Sequence, residues 1–182
     1  METFAQPRKF VRNPGYRDDR AQVTAALDLN AIDAPIRGII SAFNVLPYCY
    51  TLQCCYGHFL HATQCDPHNM EPVPACDVGP VEYRIAYLAL CIEDSTPGLR
   101  LRTLLEGVPA IDNKYVQFGS PGWFWEQRLN SYALQVEPER FRDRDVATIE
   151  HREALRVQDV RDLFFERLKE VVETSSGEFG AA

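Results

Sequence analysis

The densest chemistry in this chain lies between Tyr48 and Cys76. Three of the four histidines, His58, His61 and His68, share that window with Cys54, Cys55, Cys65 and Cys76. An imidazole beside a thiol favours the thiolate and turns a cysteine into a nucleophile. Cys55 and His58 stand three positions apart around Gly57, so they are the candidate catalytic pair, although no third member stands out from spacing alone. Cysteine and histidine are also the usual zinc ligands. Against a zinc site, the window holds no Cys-x-x-Cys, and adjacent Cys54 and Cys55 would point to opposite faces of a strand. No residue is therefore assigned as a metal ligand. The rival reading is a non-catalytic Cys/His loop over 54–76 that binds a metal or a partner. The plainest alternative is that a cysteine at a strand end is a small buried hydrophobe.

The element that must position the pair is a strand over Tyr48–Cys55, rich in aromatic and β-compatible residues. The pleat places residues 51, 53 and 55 on one face. Ligands in α/β folds gather beyond the carboxyl ends of strands, and Gly57 has no side chain to keep a ligand from the backbone. Thr51, Gln53 and Gly57 are accordingly candidate ligand-binding residues. Trp123 joins them from the aromatic group Phe118, Trp123, Phe124 and Trp125, which sits beside Gly119 and Gly122 and offers a stacking wall for a planar ligand. The alternative for that group is core packing.

Around these residues the stretch Ile36–His58 (IRGIISAFNVLPYCYTLQCCYGH) resembles the N-terminal part of the wybutosine-synthesis methyltransferases, which modify a guanosine-derived base in tRNA. In that family a helix ending in Asn leads into a strand and a Thr-x-Ser-Ser-Cys-Ser-Gly-Arg motif. Here Thr51, Cys55 and Gly57 match, while Gln53, Cys54 and Tyr56 replace the serines and His58 replaces the arginine. The resemblance covers residues 36–58 and implies a related α/β fold more than a shared activity.

The remaining elements follow from periodicity and punctuation. Residues 1–19, with Pro7, Pro14 and Gly15, read as an irregular arm. A short helix is expected over Asp19–Leu29. A second carries Ile36, Ile39, Ile40 and Phe43 at helical spacing, with Asp33 as N-cap and Asn44 and Pro47 at its end. Residues 56–80 read as a long loop. Val81–Ile92 is the clearest strand, apolar on both faces in its inner part, with Ile85, Leu88, Leu90 and Ile92 as core. A helix starts at Thr96 as N-cap and Pro97 at N1, buries Leu101, Leu104 and Leu105, and stops at Gly107. Tyr115–Phe118 reads as a short strand and Trp123–Arg128 as a helical turn or two. Asn130–Glu137 alternates as a half-buried strand. Asp145–Glu173 reads as one long helix with Phe164 and Leu168 docked on the sheet, and 174–182 as a frayed tail. Helices alternating with strands give a single mixed α/β sandwich over residues 1–182, with three to five strands, at least some of them parallel.

Composition sets the outer limits. At 182 residues the chain is long enough to bury a core without disulfide or metal staples, and 46% hydrophobic with 25% charged residues is ordinary for a globular domain. A formal net charge of −7 weighs against a broad basic surface for nucleic acid, leaving only a local patch. The N-terminus has no apolar signal-like core, and no run approaches the ~20 residues of a membrane span. A cytoplasmic protein with six reduced thiols is expected. Neither a G-x-G-x-x-G nor a G-x-x-x-x-G-K-[ST] nor a G-x-S-x-G occurs, so the sequence names no cofactor. A small molecule is the expected partner, and nothing in the pattern specifies an oligomeric state.

Overall fold

In the computed structural model, which describes residues 6–138, 141 and 144–177, the apolar segments sort into two antiparallel sheets. The first has the order β1-β4-β6-β5, formed by Cys49–Cys55 (β1), Ala86–Ile92 (β4), Ser131–Val136 (β6) and Val116–Gly119 (β5). The second has the order β2-β3-β7, formed by His58–Leu60 (β2), Val81–Arg84 (β3) and Val146–Ile149 (β7). Every pairing among these strands is antiparallel, so the expected parallel pairs are absent, and the sheets hold four and three strands, each within the three to five expected of a sheet. Five α-helices accompany them among the described residues: α1 (Tyr16–Ala26), α2 (Arg37–Val45), α3 (Thr96–Glu106), α4 (Gly122–Gln127) and α5 (His151–Gly177). The mixed α/β class and the long C-terminal helix stand as expected.

The apolar run Val81–Ile92 is not one strand. It divides at Ile85: the Ile85 N–H donates to the Asp145 carbonyl in register with the β3–β7 pairing, while Ala86 pairs with Val136 of the other sheet, so β3 and β4 feed different sheets. Its side chains are still the centre of the core: Leu88, Leu90 and Ile92 are fully buried and Ile85 nearly so. Leu88 faces Leu134 on β6 and Leu90 faces Tyr132. We expect Leu88→Ala to cost about 2–5 kcal/mol, the range for a leucine whose cavity cannot collapse. Chemical denaturation reads this directly, and an unshifted midpoint would remove Leu88 from the core.

Helix α5 packs over this sheet face, against α2, α3, β3 and β6. Val157, Val160, Phe164, Phe165, Leu168, Val171 and Val172 form its buried stripe. The helix is offset from expectation at both ends. Residues 146–149 form β7 instead of its first turn. At the other end Thr174–Gly177 continue the helix, where Ser175 is buried and its carbonyl accepts from the Tyr48 hydroxyl at 3.2 Å. The rest of the expected tail, 178–182, lies outside the described residues.

Four further boundaries shift for local reasons. Helix α1 begins at Tyr16 because that ring is buried against Tyr50 and Cys91. Ser95, not Thr96, caps α3, accepting from Gly98 N–H. Strand β6 is buried along its whole length, because both sheet faces are covered there, so it is not the half-buried strand its alternation suggested. The arm, of which residues 1–5 lie outside the described residues, is pinned over positions 8–11. Asn130 bonds both the N–H and the C=O of Val11, Ser120 Oγ accepts from Arg8 N–H, and Phe10 packs edge-on against Tyr132.

Candidate functional site

Helix α2 and strand β1 are joined by one side chain. Asn44, in the last turn of α2, donates through Nδ2 to Thr51 Oγ1 at 2.7 Å and accepts the Thr51 N–H at 3.1 Å. Arg20 of α1 seals the same corner, donating to the carbonyls of Asn44, Leu46 and Cys49. Thr51 is thus buried and spent on structure, which corrects its expected place among ligand-binding residues.

The reason is a bulge. Thr51 pairs with Leu90 and Gln53 with Ala89, so one extra residue, Leu52, is accommodated between them. A bulge shifts the alternation of side chains by one. Cys49, Thr51 and Cys54 therefore share the face of Leu88, Leu90 and Ile92, while Tyr50, Gln53 and Cys55 share the opposite one. The expected common face of residues 51, 53 and 55 holds for 53 and 55 only.

Beyond Cys55 the chain turns at Gly57, whose φ is +90°. That left-handed conformation favours glycine, and a Cβ there would lie 2.8 Å from the Ala86 Cβ. The close approach of this turn to β4 by itself requires glycine at 57. Its N–H donates to Cys55 Sγ at 3.4 Å. Its carbonyl accepts from Arg161 of α5 at 3.0 Å. Arg161 is buried and its guanidinium lies 4.0 Å from the Tyr56 ring centre. The segment expected as a loop thus starts with a turn and a strand, and His58 is the first residue of β2.

That turn brings Cys55 and His58 together and adds a residue the spacing did not reveal. Asp33, read as a helix cap, makes no cap hydrogen bond. Its Oδ2 instead accepts the Tyr56 N–H at 2.8 Å and faces His58 Nε2 at 3.3 Å. The carboxylate oxygen, Cys55 Sγ and a His58 ring nitrogen all lie within 4.8 Å of one another. On the far side of the ring, His58 Nδ1 donates to the Asn69 carbonyl at 2.9 Å. A carbonyl only accepts, so Nδ1 carries the proton and Nε2 is the nitrogen presented to Asp33 and Cys55. The Asp33 carboxylate, and after it Cys55, push the His58 imidazolium up to about 10, against the opposing effect of burial. Reciprocally, His58 first and the Tyr56 N–H next hold Asp33 below its ordinary value. Asp33 sits 22 residues before Cys55, in a 3-10 turn region between α1 and α2, and only the fold makes them neighbours.

The other cysteines do not join. Cys54 and Cys91 are pushed up to about 12 by burial, and Cys49 is raised by complete burial. Cys65 and Cys76 are exposed on the segment after β2. The only group of three potential ligands among the described residues is Asp33, Cys55 and His58, so a Cys/His cluster spanning 54–76 does not form there.

Trp123 stands apart from this group. It is 55% exposed and lines, with Val23, Leu52, Gln53, Phe124, Gln127 and Arg128, a cleft of about 300 Å³ between α1 and α4. Trp125 points the other way, into the core. The cleft stops at Gln53 and does not include Cys55. The two meet through the sheet: Gln53 and Cys55 lie on one face of β1, and the Tyr87 hydroxyl, opposite Cys55, donates to Gln53 Oε1 at 3.3 Å. The row through Cys55 continues across the sheet as Tyr87, Gln135 and Gln117. Gln117 is buried, and among the described residues neither its amide oxygen nor its nitrogen has a hydrogen-bond partner. An unpaired buried amide costs roughly 1–3 kcal/mol, and such a cost is commonly met at functional sites. Asp33, Tyr87 and Gln117 carry no sequence signal beyond being polar residues in apolar surroundings.

No known protein family matches the chain, and no curated protein does. Among solved structures, the PH1069 protein from Pyrococcus horikoshii is similar, with a TM-score of 0.50 at 11% identity, covering 88% of this chain and 96% of that one. A second structure of the PH1069 protein, from Pyrococcus horikoshii OT3, gives 0.48 at 11% identity, over 91% and 96%. At this identity the first likeness shows a shared fold over most of both chains. No helix among the described residues is long and apolar enough to cross a membrane.

Proposed function

We propose that this protein is a small-ligand-modifying enzyme, distantly similar to the wybutosine-synthesis tRNA methyltransferases, with its reactive centre at Asp33, Cys55 and His58. The observation that carries the reading is convergence. Three side chains from a 3-10 turn region, the end of β1 and the start of β2 bring their donor atoms within 4.8 Å of one another. Each matched residue of the family motif also has a distinct physical task here. Thr51 is tied to the helix-ending Asn44, Gly57 makes the left-handed turn, and Cys55 faces the cluster. These tasks support the resemblance, because they explain why an Asn-helix, a Thr, a Cys and a Gly would travel together.

In this reading the ligand lies on the Gln53–Cys55 face of the first sheet. Trp123 supplies an apolar surface for a planar group, and Gln53, Tyr87 and the unpaired amide of Gln117 supply donors and acceptors. Cys55 acts on the ligand, and His58, oriented by Asp33 and the Asn69 carbonyl, serves as its proton partner. The formal net charge of −7 weighs against a broad basic surface for nucleic acid.

Alkylation tests the centre. Treatment of the metal-stripped protein with iodoacetamide, followed by peptide mapping, should modify Cys55 at least tenfold faster than Cys91 and Cys54, whose thiols burial holds protonated. His58→Ala should narrow that difference. Equal rates at Cys55 and Cys91, unaltered by His58→Ala, would dismiss the proposed centre.

A further inference from the structure

At the same site, and from its geometry alone, we infer that Asp33, Cys55 and His58 form a three-ligand site for a zinc-type divalent ion. The donor set is one thiolate sulfur, one imidazole nitrogen and one carboxylate oxygen, the combination that selects zinc over the oxygen-seeking calcium and magnesium. Ligands about 2.0–2.3 Å from a tetrahedral zinc stand roughly 3.3–3.8 Å from one another. The 3.3 Å between His58 Nε2 and Asp33 Oδ2 already meets that spacing, and Cys55 Sγ lies within 4.8 Å of both.

Two further features argue for a metal site rather than a chance cluster. A metal-binding histidine is characteristically fixed by donating its other ring N–H to a carbonyl or carboxylate. His58 does this, through Nδ1 to Asn69 O at 2.9 Å, which leaves Nε2 for the ion. Asp33 is held in turn by the Tyr56 N–H at 2.8 Å. Both anchors are backbone groups, one at Tyr56 between Cys55 and His58 and the other at Asn69 on the segment after β2. The fourth coordination position is not filled by this triad. His68 stands edge-on to His58, 6.4 Å between ring centres, on the exposed segment that follows β2. It is not among the donors that lie within 4.8 Å of one another, so the fourth position is open to water or substrate, the arrangement of catalytic zinc sites.

The test uses the full chain, stripped with a chelator and titrated with Zn²⁺ alone, with bound metal counted by elemental analysis. One zinc per chain is expected. Cys55→Ser and Asp33→Asn should each weaken it at least roughly 100-fold, beyond the 10–100-fold typical of losing an outer-shell partner. Asp33→Asn is nearly isosteric and can keep the Tyr56 N–H bond, so it preserves the local fold. Cys65→Ser, at an exposed cysteine outside the cluster, should change nothing. Co²⁺ in place of Zn²⁺ should give a thiolate charge-transfer band that Cys55→Ser removes. A wild-type chain that takes up no zinc, or zinc binding unchanged in Cys55→Ser and Asp33→Asn, overturns the metal site. If no zinc binds while Cys55 still alkylates faster than Cys91, the metal inference fails and the enzyme reading survives. If zinc binds through the three residues but stripped Cys55 is no more reactive than Cys91, the nucleophile reading fails and the metal site survives.

Discussion

Truncating the chain after Arg156 should abolish the soluble folded protein. Seven apolar side chains of α5, from Val157 to Val172, are buried against both sheets and helices α2 and α3. Burying one such side chain stabilises by about 1.5–3 kcal/mol, so their joint loss, roughly 10–21 kcal/mol, matches or exceeds the 5–15 kcal/mol by which domains of this kind are stable. The deletion would also uncover Leu88, Leu90 and Ile92, which have no exposed surface in the fold. Expression followed by sedimentation of the lysate reads the outcome. A truncated chain that stayed in solution with native circular dichroism would make α5 an appendage, and the central place assigned to Phe164 and Leu168 would be lost.

The second large effect is expected at Arg161→Met. Arg161 is 2% exposed and holds the β1–β2 turn from beneath. It donates to the Gly57 carbonyl, lies over the Tyr56 ring and is paired to Asp162 at 2.9 Å. Methionine fills similar volume but leaves the Gly57 carbonyl without its donor and Tyr56 without its cation. A hydrogen bond from a charged group contributes about 1.5–3 kcal/mol and a desolvated cation–π contact about 1–2. We expect a net loss of about 2–4 kcal/mol. The diagnostic part is local. Because Gly57 and Tyr56 are the residues between Cys55 and His58, loosening this turn should reduce Cys55 alkylation and zinc affinity together, at temperatures where the fold is intact. Arg161→Lys keeps the charge and the donor and should recover part of both. A methionine variant with native stability and native Cys55 reactivity would show that the turn holds itself.

Amino-acid order alone determined much of the local structure. The helical spacing of Ile36, Ile40 and Phe43, the strand composition of Cys49–Cys55, the apolar run at Leu88–Ile92 and the stripe through Phe164 and Leu168 all mark their elements. These signals are short in range, because a helix or strand buries one face by a repeat written within a few residues. The pairing of Cys55 with His58 was legible for the same reason, since only a two-residue turn separates their strands.

What the tertiary structure decided is everything that depends on which segments meet. The division at Ile85 follows from pairing with distant segments, Ile85 with Asp145 and Ala86 with Val136. The antiparallel order of both sheets depends on which strands meet, and a strand's own residues do not encode its neighbour's direction. The bulge at Leu52 reversed the side-chain alternation, moving Thr51 to the core beside Asn44 and leaving Gln53 with Cys55. Gly57 turned out to serve a close approach to Ala86. Most consequentially, Asp33 reads along the chain as a helix cap, because an aspartate before a helix has that local use. In the fold its carboxylate is drawn instead to the Tyr56 N–H and the His58 imidazole, a charge pair that no local pattern can announce.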